Sequence, residues 1–214
     1  GGEEVGEESG GTAEECVGLM NQKEEGLGVF DAVGVNVHGL EGTQLDNGNI
    51  TTAYDLAVVA KHLLDHSKVV EWAVQRQRPF RSGQFMLFNT NKLLGKYQGL
   101  NGLKTGYTNR AGFCLVGTAE RKDMRLIAVV LGAPDEETRY IETKKLLDHG
   151  FQNFVKIRIF RSGQNAGIVQ LKEGRQSHVQ ALVQEEYIAV LRKGDDSRMR
   201  RQIKYRENII APVR

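Results

Sequence analysis

Residues 101–108 read NGLKTGYT, and the Lys104-Thr105-Gly106 triplet inside them is the chain's clearest chemistry-bearing feature. A lysine ammonium can hold a carboxylate or assist proton transfer beside a nucleophile. The neighbouring Thr105 hydroxyl can bond the same carboxylate, and Gly106 lets an extended peptide approach the strand backbone and pair with it. The bare triplet also reads as an exposed lysine followed by a turn glycine, so its surroundings must decide. A second pattern, His62-Leu-Leu-Asp-His66, puts two imidazoles at i and i+4 on one helix face, which is metal-ligand spacing. It lacks the glutamate of a zinc peptidase motif and has no third ligand nearby in sequence, so surface histidines are the plainer reading.

The elements that must position these groups follow from pattern. Thr12-Ala-Glu-Glu15 is a capping box that opens a helix stopping near Gly26, and Thr52-Ala-Tyr-Asp55 opens another in the same manner. In the second helix Leu56, Val59, Ala60, Leu63 and Leu64 fall at helical spacing for one buried face. QFMLFN at 84–89 is a short strand-like arm. AGFCLVGT (111–118) and MRLIAVVL (124–131) form an antiparallel hairpin with the Lys104 segment leading into it. Asp135 caps a helix through Leu147 that Gly150 is expected to end at its C′ position. Beyond Phe151, the runs VKIRIF, GIVQL, SHVQALV, YIAVLRK and MRRQIKYR are short, alternating and closely spaced, as in a small β-sandwich.

At 214 residues, 40% hydrophobic and 26% charged, the chain fits a globular domain with a small appendage rather than a disordered or fibrous class. No run reaches the length of a membrane-spanning helix, and the first residues lack the basic-then-apolar order of a signal peptide. Cys16 and Cys114 read as buried core thiols, one pair being no disulfide framework. Residues 1–150 hold 16 Lys/Arg against 21 Asp/Glu, whereas residues 151–214 hold 13 against 6, so the two parts have different surroundings. The basic part, with Arg192, Lys193, Arg198, Arg200, Arg201, Lys204 and Arg206, reads first as solvated faces of β-strands and second as a surface that docks on an anionic membrane or cell-wall polymer. It has no aromatic interleaving of the kind that stacks bases, which argues against nucleic acid.

Residues 19–40 (LMNQKEEGLGVFDAVGVNVHGL), 51–64 (TTAYDLAVVAKHLL), 101–117 (NGLKTGYTNRAGFCLVG) and 143–151 (TKKLLDHGF) together resemble the serine D-alanyl-D-alanine carboxypeptidases, the low-molecular-mass penicillin-binding proteins. The resemblance covers most of residues 12–155. It implies an α+β fold, with part of a β-lactamase/transpeptidase-like catalytic domain (antiparallel sheet with helices) at 12–153. A flexible acidic, Gly-rich tail at 1–11 precedes it, and a small all-β domain at 154–214 follows. It also implies that Lys104, Thr105 and Gly106 form the family's third active-site motif, on the strand that binds the terminal carboxylate. Arg139, in GAPDEETRYIE, falls where the family places an arginine that helps hold that carboxylate.

The implied reaction removes the terminal D-alanine of a peptidoglycan stem peptide ending in D-Ala-D-Ala through an acyl-enzyme, without metal or organic cofactor. The implied setting is extracytoplasmic, and the parent enzyme is acylated by β-lactams. Two of the family's motifs, Ser-x-x-Lys and Ser-x-Asn, are missing. None of Ser9, Ser67, Ser82, Ser162, Ser177 and Ser197 has Lys three residues on or Asn two residues on. In the family both motifs precede the stretch like residues 12–26, so the resemblance implies a chain that starts after them. Loss of a nucleophile costs on the order of a millionfold in rate, about 8 kcal/mol of barrier. The chain alone is therefore expected to be inactive and to expose apolar faces of its hairpin. A binding module without turnover, and a zinc hydrolase built on His62 and His66, remain as competing classes.

Overall fold

The computed structural model describes residues 11–41, 48–200, 202–204 and 209–210. Apart from Gly11, the expected tail lies outside them. The chain divides into two compact units, residues 1–150 and 151–214.

In the first unit, α1 (Ala13–Gly26) begins at the capping box: Glu15 N donates to Thr12 Oγ1 (3.1 Å), and Thr12 N donates to Glu15 Oε2 (2.8 Å). The Asn21 side chain ties α1 to the following loop by bonding both the N–H and the C=O of Gly34, each at 2.8 Å. Thr52 caps α2 (Ala53–Leu63) by accepting from Asp55 N. The expected buried face of α2 is only partly covered: Ala60 and Leu64 are buried, Leu56 and Val59 half-buried, and Leu63 is exposed. A short helix, α3 (Ser67–Ala73), leads to a ribbon of β1 (Gln77–Phe80) and β2 (Phe85–Phe88).

The sheet that carries the triplet follows. Strands β3 (Leu100–Thr108), β4 (Gly112–Arg121) and β5 (Met124–Ala133) lie in the order β3-β4-β5, all antiparallel, with Lys104 opposite Val116 and Gly106 opposite Cys114. Asp135 starts α4 (Glu136–Asn153) by accepting from Thr138 N at 2.7 Å. Gly150 does not end that helix, contrary to expectation. A Cβ there would lie 2.4 Å from Leu126 Cδ1, so the glycine marks a close helix–sheet approach rather than a C-cap. Gly117 serves the same contact from the sheet side, since a Cβ on it would lie 2.7 Å from Thr143 Cγ2. Leu115, Thr118, Thr143 and Leu147 are the largest fully buried side chains among the described residues.

The cysteines also depart from expectation. Both are free and half-buried, Cys16 on α1 and Cys114 on β4, because each sits at the edge of a groove rather than in the packed interior.

In the second unit β6 (Phe154–Phe160) pairs with β9 (Tyr187–Arg192), and β7 (Asn165–Lys172) lies between β8 (His178–Leu182) and β10 (Ile209–Ile210). These two small sheets match four of the five expected runs. The fifth, at 199–206, is not a strand at its described residues, and the last strand lies further on, at β10. Arg201 and Arg206 lie outside the described residues.

Candidate active site

Lys104 is exposed on β3 and lines a groove of ≈ 350 Å³ between the sheet and α2. Leu56, Val59 and Leu63 of α2 form one wall, and Lys104, Thr105, Gly106 and Cys114 the other. The lysine ammonium donates to the Thr105 carbonyl. Gly106 is not a turn glycine: it lies within the strand, and its φ is not positive. A Cβ there would meet only Cys114 Cβ, at an ordinary 3.8 Å. Packing therefore does not demand glycine, and its visible effect is to leave the strand surface bare for an approaching chain.

Thr105 is buried, and its hydroxyl lies 2.5 Å from the hydroxyl of Thr90, with either able to donate. Thr90 belongs to an Asn89-Thr90-Asn91 strap between the β1–β2 ribbon and the sheet. Asn89 Nδ2 donates to the carbonyls of Ala73 (3.1 Å) and Gln75 (2.9 Å), and Asn91 Nδ2 donates to the Gly102 carbonyl (3.3 Å). Three small polar side chains thus anchor α3, the ribbon root and β3 together.

Arg139 is only 4% exposed and lies under the triplet rather than in solvent. Its Nη1 donates to the carbonyls of Gly106 and Cys114, both at 3.3 Å, and its Nη2 donates to Tyr140 OH at 2.9 Å. The guanidinium also stands over the rings of Phe113 and Tyr140, at 5.5 and 4.7 Å from their centroids. Tyr140 OH in turn donates to the Thr90 carbonyl at 2.8 Å. The chain Thr105–Thr90–Tyr140–Arg139–Gly106 therefore returns to the triplet where it began. In this conformation Arg139 holds the strand, and its Nε is buried without a partner among the described residues.

Charge around this ring is balanced locally. Lys92 donates to Glu136 Oε2, and that bond raises the lysine pKa and lowers the glutamate's. Glu136 Oε1 also accepts from Arg139 at 3.2 Å. At the far end of the 92–99 loop, Tyr97 donates to Asp148 Oδ1 at 2.7 Å. Burial first, and that bond second, push its phenol up to about 12.

His62 and His66 lie away from the triplet. They line a separate groove of ≈ 570 Å³ between α1 and α2, with Lys23, Glu24 and Asp65. Among the described residues no group of three or more His, Cys, Asp and Glu is placed to hold a metal ion. Among the described residues, Glu24 Oε2 in that groove and Asp55 Oδ2 on α2 are buried without partners. Burial, and then the Asp55 charge, raise the Glu24 carboxyl above its ordinary range.

Sequence reasoning singled out Lys104, Thr105, Gly106 and Arg139 but missed Thr90, Asn91 and Tyr140. The available signal was the Asn-Thr-Asn run itself, three side chains that readily satisfy nearby backbone groups.

A three-stranded antiparallel sheet with Lys104 on its edge strand, facing a helix-lined groove, is in keeping with the resemblance read from the sequence, and comparison with known proteins assigns the family. Residues 5–135 match the family Peptidase_S11, D-alanyl-D-alanine carboxypeptidase, and the chain belongs to that family. It is 33% identical to the D-alanyl-D-alanine carboxypeptidase DacF of Bacillus subtilis (strain 168) over 207 residues, covering 95% of this chain and 52% of that protein. The structure of penicillin binding protein 5 from Haemophilus influenzae superposes with a TM-score of 0.82 at 27% identity, covering 97% of this chain and 60% of that one. Penicillin-Binding Protein D2 from Listeria monocytogenes, in its cefotaxime-bound form, gives a TM-score of 0.65 at 35% identity, covering 70% of this chain and 60% of that one. The chain thus spans about half the length of the curated relative and about 60% of the solved structures.

Proposed function

We propose that these 214 residues supply the carboxylate-binding half of a serine D-Ala-D-Ala carboxypeptidase site. The site's substrate is a peptidoglycan stem peptide ending in D-Ala-D-Ala, and β-lactams compete for it. The observation that carries this reading is the exposed Lys104 ammonium beside Thr105 and the bare Gly106 surface, on a strand braced from beneath by Arg139. The ammonium offers a charge-assisted bond to the terminal carboxylate, the strand backbone at Gly106 pairs with the peptide, and the Thr105 hydroxyl, with Thr90 as the donor in their pair, keeps its own proton for a second bond. Arg139 fixes the Gly106 carbonyl, so the strand does not have to reorganise on binding. The Listeria relative bound to cefotaxime is in keeping with β-lactam recognition. The setting is the extracytoplasmic cell wall, and the chemistry calls on no metal or organic cofactor.

Turnover needs a nucleophile, and no serine in this sequence has Lys three residues on. The chain by itself therefore binds without releasing D-alanine. That favours the binding-module reading for the isolated chain.

The test is a titration of the ¹⁵N-labelled chain with an N-acylated D-Ala-D-Ala dipeptide and with its C-terminal amide. Amide shifts confined to 103–107 with the free acid, and weakened ~10–100-fold by Lys104→Ala, are expected from a bond of about 1.5–3 kcal/mol. Equal binding of the amide-capped peptide would sink the reading. Release of D-alanine by the chain would overturn its inactivity.

A further inference from the structure

We propose that the β1–β2 ribbon is a docking arm for an anionic phospholipid surface. All thirteen residues from 76 to 88 are exposed. Phe88 is 71% exposed, and Phe80, Phe85, Met86 and Leu87 are each between 45% and 55%. The register makes this more than a one-sided patch. Gln77 lies opposite Phe88 and Pro79 opposite Met86, whereas Arg78 lies opposite Leu87 and Phe80 opposite Phe85. Directly opposed residues share a face and successive residues alternate, so both faces of the ribbon are largely apolar. A bilayer interface surrounds both.

Charge points the same way. From Trp72 to Ala119 the sequence has seven Lys/Arg and no Asp/Glu, inside a unit that holds 16 Lys/Arg against 21 Asp/Glu. On the arm itself Arg78 and Arg81 are exposed, with the Arg81 guanidinium 5.6 Å from the Phe80 ring centroid. Arginines flanking aromatic and aliphatic side chains suit the headgroup boundary, where charge stays wet and rings enter the acyl region. A four-residue strand reaches about 13 Å, comparable with the depth of that boundary. The arm also leaves the body on a fixed root, with Asn89 N donating to the Arg76 carbonyl (2.9 Å) and the Asn89 side chain holding Ala73 and Gln75. Its tip turns through Arg81, Ser82 and Gly83, all at positive φ.

The chain contains one tryptophan, Trp72, near the arm's root, so a reporter can be moved to the arm. In the 214-residue chain, Trp72→Phe with Phe85→Trp is mixed with phosphatidylcholine vesicles containing about a third phosphatidylglycerol, with or without brominated acyl chains. The expected result is a blue shift, quenching by the brominated lipid, and little response to pure phosphatidylcholine. In co-sedimentation with the original tryptophan, Phe85→Ser with Phe88→Ser lowers partitioning at least about tenfold, and Arg78→Gln with Arg81→Gln lowers it several-fold. Circular dichroism confirms that each variant is folded.

Absence of vesicle binding overturns the proposal. So does binding that survives the Phe85/Phe88 change, since the basic residues of the second unit would then carry it. A lipid-free dimer abolished by Phe85→Ser with Phe88→Ser would assign the arm to a second copy of the chain. Quenching-free capture by a soluble anionic glycopeptide would assign it to cell-wall polymer. Either outcome refutes lipid docking.

Discussion

The two faces of the β3–β4–β5 sheet are built to different standards. Toward α4 the packing leaves no room for a methyl group: Gly117 and Gly150 admit Thr143 and Leu126 to distances that a Cβ would forbid, and Leu115 and Leu147 are fully buried. Toward α2 the sheet leaves the ≈ 350 Å³ groove, with Leu63 and Leu131 substantially exposed along it. A closed face fixes strand geometry, and an open face presents it. The triplet lies where the two meet, with Lys104 in the open groove and Arg139 bracing Gly106 on the closed side.

Four measurements break or sharpen that contrast. Gly117→Val attacks the closed face and should cost about 3 kcal/mol, lowering the thermal midpoint by roughly 6–12 °C in a chain of this size. A loss below about 1 kcal/mol would mean that the α4 contact is looser than it looks. Arg139→Met keeps volume but removes the donors to the Gly106 and Cys114 carbonyls, for an expected cost of about 2 kcal/mol in urea unfolding. It should also broaden the amide signals of residues 104–107, and unchanged signals would deny Arg139 its bracing role.

Glu24→Gln probes the groove between α1 and α2. Burial raises the folded-state pKa of Glu24, so the folded state holds its proton more tightly than the unfolded state does. Glu24 therefore favours folding fully at pH below its unfolded value, and that contribution is lost as pH rises through the folded value. Glutamine should then raise the midpoint at pH 7, by less than about 1 kcal/mol equivalent, and leave it unchanged near pH 4. A stabilisation that is the same at both pH values would remove the titration argument. Smallest of all, Leu131→Ser on the open face should stay within about 0.5 kcal/mol of the parent, and a cost above 2 kcal/mol would show that face to be closed after all.

Local chemistry made the elements legible and tertiary contact did not. The capping threonines at 12 and 52, the two apolar runs around Glu120–Asp123, and Asp135 before its helix all announce themselves within four residues, and each starts or joins an element as expected. Gly150 misled because a glycine near a helix end looks the same whether it caps the helix or admits a neighbour, and only Leu126, distant in sequence, decides. At the site, Lys104-Thr105-Gly106 could be picked out as a triplet. Its brace could not: Thr90 meets Thr105 across fifteen residues, and Tyr140 reaches Thr90 across fifty. Arg139 was reachable only by resemblance, since nothing in a helix's first turn says that a guanidinium points inward.

Asn89 has a mechanical consequence. On one side of it stands a stiff two-stranded lever, and on the other the hydroxyl pair of Thr90 and Thr105, with the Asn89 side chain pinned to Ala73 and Gln75 as the fulcrum. A load that tilts the lever about that pivot is transmitted within one residue to Thr90. The Thr90–Thr105 hydroxyl pair is thereby the first contact on β3 to feel whatever holds the lever's far end.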